Sequence, residues 1–120
     1  MAVAPFAERL ARVRQRFVSG LESKIKDTFA AIPDLSGDAA AAVEAVDESY
    51  RRIHGIVGIG PTVGFARTGR AARDVENILM RPHQAERGLT EEEIASFKKA
   101  LHALRETATS ELQLFYSDWR

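Results

Sequence analysis

Three histidines, His54, His83 and His102, are the side chains best suited to group transfer near neutral pH. The chain has no cysteine, which excludes thiolate nucleophiles, zinc–thiolate sites and disulfides. His83 follows Pro82 in a stretch, PHQAERGL (82–89), that reads as a polar loop with nothing around it. His102 lies next to Leu101, off the apolar stripe, and is expected to be solvated. Neither has a second ligand at metal spacing, so no metal site is expected.

His54 has more unusual neighbours. It adjoins the apolar position Ile53 and precedes Gly55, Gly58 and Gly60. An interior helical glycine costs about 1 kcal/mol relative to alanine. Helical side chains lean toward the N-terminus, so a side chain at 58 would cover His54. Glycine there leaves the imidazole open and lets another backbone approach closely. The plainer reading is that Gly58, Gly60 and Pro61 end a helix. Glu76 adds a second group. If two antiparallel helices turn near residues 62–63, position 54 faces 71–73, with Glu76 about one turn further on. A carboxylate accepting a hydrogen bond from one imidazole nitrogen fixes the tautomer and leaves the other nitrogen the better nucleophile. Taken alone, Glu76 also reads as an ordinary solvated residue.

These residues need a scaffold, and the prolines outline it. Pro5, Pro33, Pro61 and Pro82 divide the chain into segments 6–32, 34–60, 62–81 and 83–120. In the first, Phe6, Leu10, Val13, Phe17, Leu21, Ile25 and Phe29 form one helical stripe. In the second, Asp34 or Ser36 is expected to cap a helix whose stripe is Val43, Val46, Tyr50, Ile53 and Val57. The third helix is expected to start near Gly64-Phe65, with Ala72, Val75 and Leu79 on one face, and to end before Pro82. The fourth starts at a capping box, Thr90 with Glu93. It buries Ile94, Phe97, Leu101, Leu104 and Ala108, and Leu112, Leu114, Phe115, Tyr116 and Trp119 continue the apolar character. This tail is expected to pack on the first helix; if left exposed it would make a patch for a dimer or partner. No segment alternates with period two, so the expected fold is all-α, an antiparallel up-down four-helix bundle.

With 120 residues, the chain is expected to be a single domain, 1–120. Lys and Arg number 17, as do Asp and Glu, which argues against a nucleic-acid binder that neutralises phosphates. The net charge of segments 1–32, 33–60, 61–90 and 91–120 alternates as +3, −3, +2 and −2. Neighbouring helices can therefore attract, and Arg67, Arg70 and Arg73 give a local basic face beside His54. No run is long enough to span a membrane and no signal-peptide core stands at the N-terminus, so a cytoplasmic protein without membrane association is expected.

The stretch RRIHGIVGIGPTVGFARTGRAARDVENIL, counted from Arg51, resembles the histidine phosphotransfer (HPt) family. The family pattern is a His, a hydrophobic residue two on, a Gly four on, then a Gly with an apolar neighbour and a second amphipathic helix. Here these are His54, Ile56, Gly58, Gly64-Phe65 and the helix ending at Leu79. It is similar also to the phosphoacceptor domain of chemotaxis histidine kinases, where a Glu 22 residues after the His contacts the imidazole; that position here is Glu76. The resemblance covers about a quarter of the chain by motif. It implies a phosphoryl carrier rather than an autonomous enzyme, phosphorylated on His54, with Glu76 orienting the ring and Gly55 and Gly58 at the docking surface. Its partner would be a response-regulator receiver domain or a hybrid histidine kinase. No cofactor is implied on this chain, since the magnesium would sit on the receiver. The family often has Lys three residues after the His, where this chain has Val57; Arg51, Arg70 and Arg73 are the candidate substitutes.

Two other readings stay open. One is a non-catalytic adaptor or dimerisation module with the same bundle; the other is the phosphoacceptor domain of a larger kinase. The expected state is monomer or weak dimer.

Overall fold

A computed structural model describes residues 3–118, and Trp119 lies outside them. Helices occupy Val3–Ala30 (α1), Ala40–Ile59 (α2), Ala66–Ala85 (α3) and Glu91–Asp118 (α4), with short 3-10 turns at Ile32–Asp34 and Gly60–Val63. No β-strand forms among the described residues; one isolated bridge joins Ser36 and Leu89. α2 packs on α3, α3 on α4, and α1 on both α4 and α2. The apolar stripes meet in one core that includes Leu21, Val46, Ile53, Val75, Leu79, Phe97, Leu101 and Leu104, all fully buried. Burial of each such side chain stabilises the fold by roughly 1.5–3 kcal/mol, and this drives the helices together.

The connections explain where the expected boundaries shift. α2 starts at Ala40, capped by neither Asp34 nor Ser36; Ala39 is extended (φ −69°, ψ 155°) and provides no side-chain cap. The preceding loop is held away from helical geometry by the loop before α4. Gly88 N–H donates to the Gly37 carbonyl (3.0 Å), and Leu89 N–H to the Leu35 carbonyl (2.8 Å). A Cβ at Gly88 would collide with the Gly37 carbonyl oxygen, so only glycine admits this approach.

α3 does not stop before Pro82 but continues to Ala85, so residues 82–85 are helical rather than part of a loop. Pro82 lies in the last turn, where its missing N–H costs one hydrogen bond, and its ring is buried. Glu86, in the left-handed region at φ 52°, then ends the helix. Its first turn is satisfied from another element: Glu111 of α4 accepts hydrogen bonds from the N–H and hydroxyl of Thr68, each 2.6 Å.

The capping box of α4 forms as expected. Thr90 N–H donates to Glu93 Oε1 (2.9 Å) and Glu93 N–H to Thr90 Oγ1 (3.1 Å). Glu93 also pairs with Arg87 through both carboxylate oxygens, at 2.8 and 3.1 Å. The Arg87 hydrogen bonds, aided by those from Thr90, lower the Glu93 pKa to about 2.

The α1 stripe is buried only in its second half. Phe17, Leu21 and Ile25 enter the core, whereas Phe6 is 62% exposed and Val13 is exposed as well. Arg14 donates from Nε to the Val63 carbonyl (2.9 Å), where α1 passes the α2–α3 turn; before it, Leu10 is half-buried and packs on the core while Phe6 does not. At the other end, Leu112 is buried and Phe115 packs on the core, while Leu114 and Tyr116 stay exposed. The tail is thus core only in part.

Candidate functional site

α2 and α3 place His54 and Glu76 together. His54 Nδ1–H donates to Glu76 Oε2 at 2.5 Å. The imidazole is 63% exposed and the carboxylate 5% exposed, so a buried acceptor holds a ring that projects into solvent. With Nδ1 carrying the proton, the Nε2 lone pair is available for a new bond. Position 54 faces 76 directly, not 71–73. The reversal is displaced because the 3-10 turn and Gly64, at φ +94°, lengthen the connection, and residue 65 becomes the midpoint of the hairpin. Two further contacts set the close approach of turn and helix. A Cβ on Gly69 would lie 2.8 Å from the Pro61 ring, and one on Gly60 would lie 3.1 Å from the Phe65 carbonyl.

Gly55 and Gly58 differ from these packing glycines. A Cβ at Gly58 would meet nothing within 4 Å, and one at Gly55 would make only an ordinary 3.8 Å contact with Lys24 Nζ. Internal packing requires neither glycine. Gly58 leaves a bare patch on the exposed side of α2 beside the imidazole, and Gly55 is half-buried under Lys24.

Val57 points into the core and is buried, so the third position after His54 offers no cation. Arg51, Arg70 and Arg73 are exposed and form no ion pair or side-chain hydrogen bond among the described residues. Arg51 stands one turn before His54 on α2, and Arg73 one turn before Glu76 on α3. Neither bonds to the imidazole. Sequence reasoning missed another cation, Lys24 of α1, whose ammonium lies over α2 at Gly55. No spacing along the chain signals this placement, which depends on how α1 crosses α2. Thr28 and Arg52 fix that crossing: Arg52 Nε donates to Thr28 Oγ1 (3.2 Å).

The other histidines also differ from expectation. His83 is not isolated in a loop. It sits in the last turn of α3, its Nδ1–H donates to Asp47 Oδ1 of α2 (2.8 Å), and its ring stacks on Tyr50 with centroids 4.1 Å apart. The missed signal was a repeated spacing, since Asp47 precedes His54 by the same interval as Glu76 precedes His83. His102 is exposed as expected, with a ring-edge contact to Phe29 at 4.9 Å.

Among the described residues no group of three His, Cys, Asp or Glu could hold a metal ion, and no helix is long and apolar enough to cross a membrane. Grooves lie elsewhere, between α1 and α4 and between α3 and α4, and neither includes His54. The site is a protruding side chain rather than a cleft, a form suited to presenting an atom to another macromolecule. No family model, curated protein or solved structure matches the chain.

Proposed function

We propose that this chain is a histidine-containing phosphotransfer protein of a two-component phosphorelay, built as an antiparallel up-down four-helix bundle in the cytoplasm. It accepts a phosphoryl group on His54 from the phospho-Asp of a receiver domain and passes it to another. One observation carries the reading: an exposed imidazole whose Nδ1 is held by a buried carboxylate, beside two glycines that packing does not require.

The chemistry balances with the groups present. The Nε2 lone pair attacks phosphorus in line, the N–P bond forms, and the acyl O–P bond breaks with its electron pair left on the donor Asp. The positive charge gained by the imidazole is offset through the Nδ1–H bond to Glu76. Magnesium and the acidic pocket are the receiver's, and Arg51, Arg70 and Arg73 supply positive charge around the incoming phosphoryl group. The paired contacts 54–76 and 47–83 support the antiparallel arrangement of α2 and α3.

The test is incubation with a phosphorylated receiver domain, followed by detection of acid-labile phosphate on this chain. The expected result is one phosphate on His54 and none in His54→Gln. Binding without transfer, unaffected by His54→Ala, would instead identify an adaptor; the buried Val57 at the usual Lys position is the observation that favours that alternative.

A further inference from the structure

α2 and α3 carry the same spaced pair, an acid and then a histidine two helical turns later: Asp47 with His54, and Glu76 with His83. An interval of seven residues returns to the same helix face. Because the helices pack in opposite senses, each acid meets the histidine of the other helix. Tyr50 lies on α2 between the two junctions. Its ring stacks on His83 (4.1 Å, 9° between planes) and on His54 (5.6 Å, 11°).

From this juxtaposition we propose that Tyr50 is a positioning residue for His54, held in turn by His83 and Asp47; the inference rests on His54 being the phosphoacceptor. Glu76 holds one ring nitrogen, Nδ1, but a carboxylate oxygen accepts over a broad range of directions, so the exposed ring can still rock about its side-chain torsions. Neither Gly55 nor Gly58 has a side chain to support it on α2. Tyr50 is the one aromatic ring stacked on His54 among the described residues, and it constrains the plane that the hydrogen bond leaves free. Tyr50 is itself half-buried, and His83, pinned through Nδ1 to Asp47 at 2.8 Å, closes the column. In-line transfer depends on the direction of the Nε2 lone pair, so fixing the ring plane raises the fraction of productive encounters.

Two readouts on the full chain test this, with phosphoramidate as a donor that needs no protein partner. Nitrogen chemical shifts report the His54 tautomer and ring order before any phosphate is added, and intact mass with fragmentation reports the rate of labelling at His54. Tyr50→Ala is expected to slow labelling about three- to tenfold and to loosen the His54 ring while the Glu76 bond keeps its tautomer. Tyr50→Phe, which keeps the ring, is expected to stay within about twofold of wild type. His83→Ala, which leaves every atom touching His54 in place, is expected to fall between them and serves as the test if Tyr50→Ala does not fold. Wild-type labelling with unchanged His54 ring order in both Tyr50→Ala and His83→Ala would overturn the proposal. Failure of every receiver to phosphorylate a wild type that phosphoramidate labels would count against the phosphorelay reading alone.

Discussion

The α2–α3 hairpin contains two carboxylate–imidazole pairs built from the same parts. In one, an exposed histidine of α2 rests on a buried glutamate of α3. In the other, His83 and Asp47 are each about one-third exposed, so the burial is shared evenly. The asymmetry separates their roles. An ordinary partly solvated pair ties two helices together. A buried carboxylate under an exposed ring holds its partner in one tautomer while leaving the far nitrogen in solvent. The neighbours differ as well. His54 is followed by Gly58, which leaves its surface bare, whereas His83 sits in the last turn of its helix and lies closer to Tyr50, at 4.1 Å against 5.6 Å. A histidine and a carboxylate at the same spacing thus make an exposed, oriented ring in one place and a strut between helices in the other.

The sharpest way to break this comparison is to exchange each histidine. His54→Gln should abolish phosphoryl acceptance from a receiver, while His83→Gln should retain it at a reduced rate, both read as acid-labile phosphate. Equal loss in both variants would erase the distinction. Next come the carboxylates. Glu76→Gln keeps the shape but replaces the buried charge, and should slow labelling of His54 about tenfold. Asp47→Asn, acting only through the Tyr50 column, should slow it less than about threefold.

The glycines sharpen the comparison from the solvent side. Gly58→Ala should raise stability by about 0.5–1 kcal/mol, measured by urea unfolding, because its Cβ meets nothing and alanine is the better helix former. Gly58→Leu should cut transfer from a receiver more than labelling by phosphoramidate, since only the protein donor needs the bare surface. Loss of stability in Gly58→Ala would show that the glycine serves packing.

The smallest effect concerns an acid–base pair with no chemical role. The Glu93 pKa is lowered to about 2, chiefly by Arg87, so its pairing stabilises the fold above the ordinary carboxylate range. That contribution is lost as pH falls toward about 2. The stability gap between wild type and Glu93→Gln should therefore be constant near neutral pH and close on acidification. Urea unfolding over a pH series measures it, and a gap that widens toward low pH would reverse the assignment.

How much of this was legible depended on whether the determining interaction was local. The α4 capping box and the buried faces of the later helices follow from spacing along single helices, whereas the His54–Glu76 pair crosses two helices and was reached only to within about a turn, from an assumed reversal and the family resemblance. Residues 82–85 were misread because Pro82 signals a break, and the burial of its ring in the last turn is a tertiary effect. That error hid the His83–Asp47 pair, although the repeated acid-to-histidine interval was visible in the chain. The outer half of α1 shows the opposite limit. Its stripe from Phe6 to Val13 has the period of a buried face, but that period cannot show where the neighbouring helices end.

The central claim is that His54 is the atom-bearing group of a phosphoryl carrier, and site-resolved phosphate tests it most directly. After incubation with a phosphorylated receiver domain, one phosphate should reside on Nε2 of His54 and disappear in His54→Gln. Phosphate on another residue, or an unchanged yield in His54→Gln, would contradict the account.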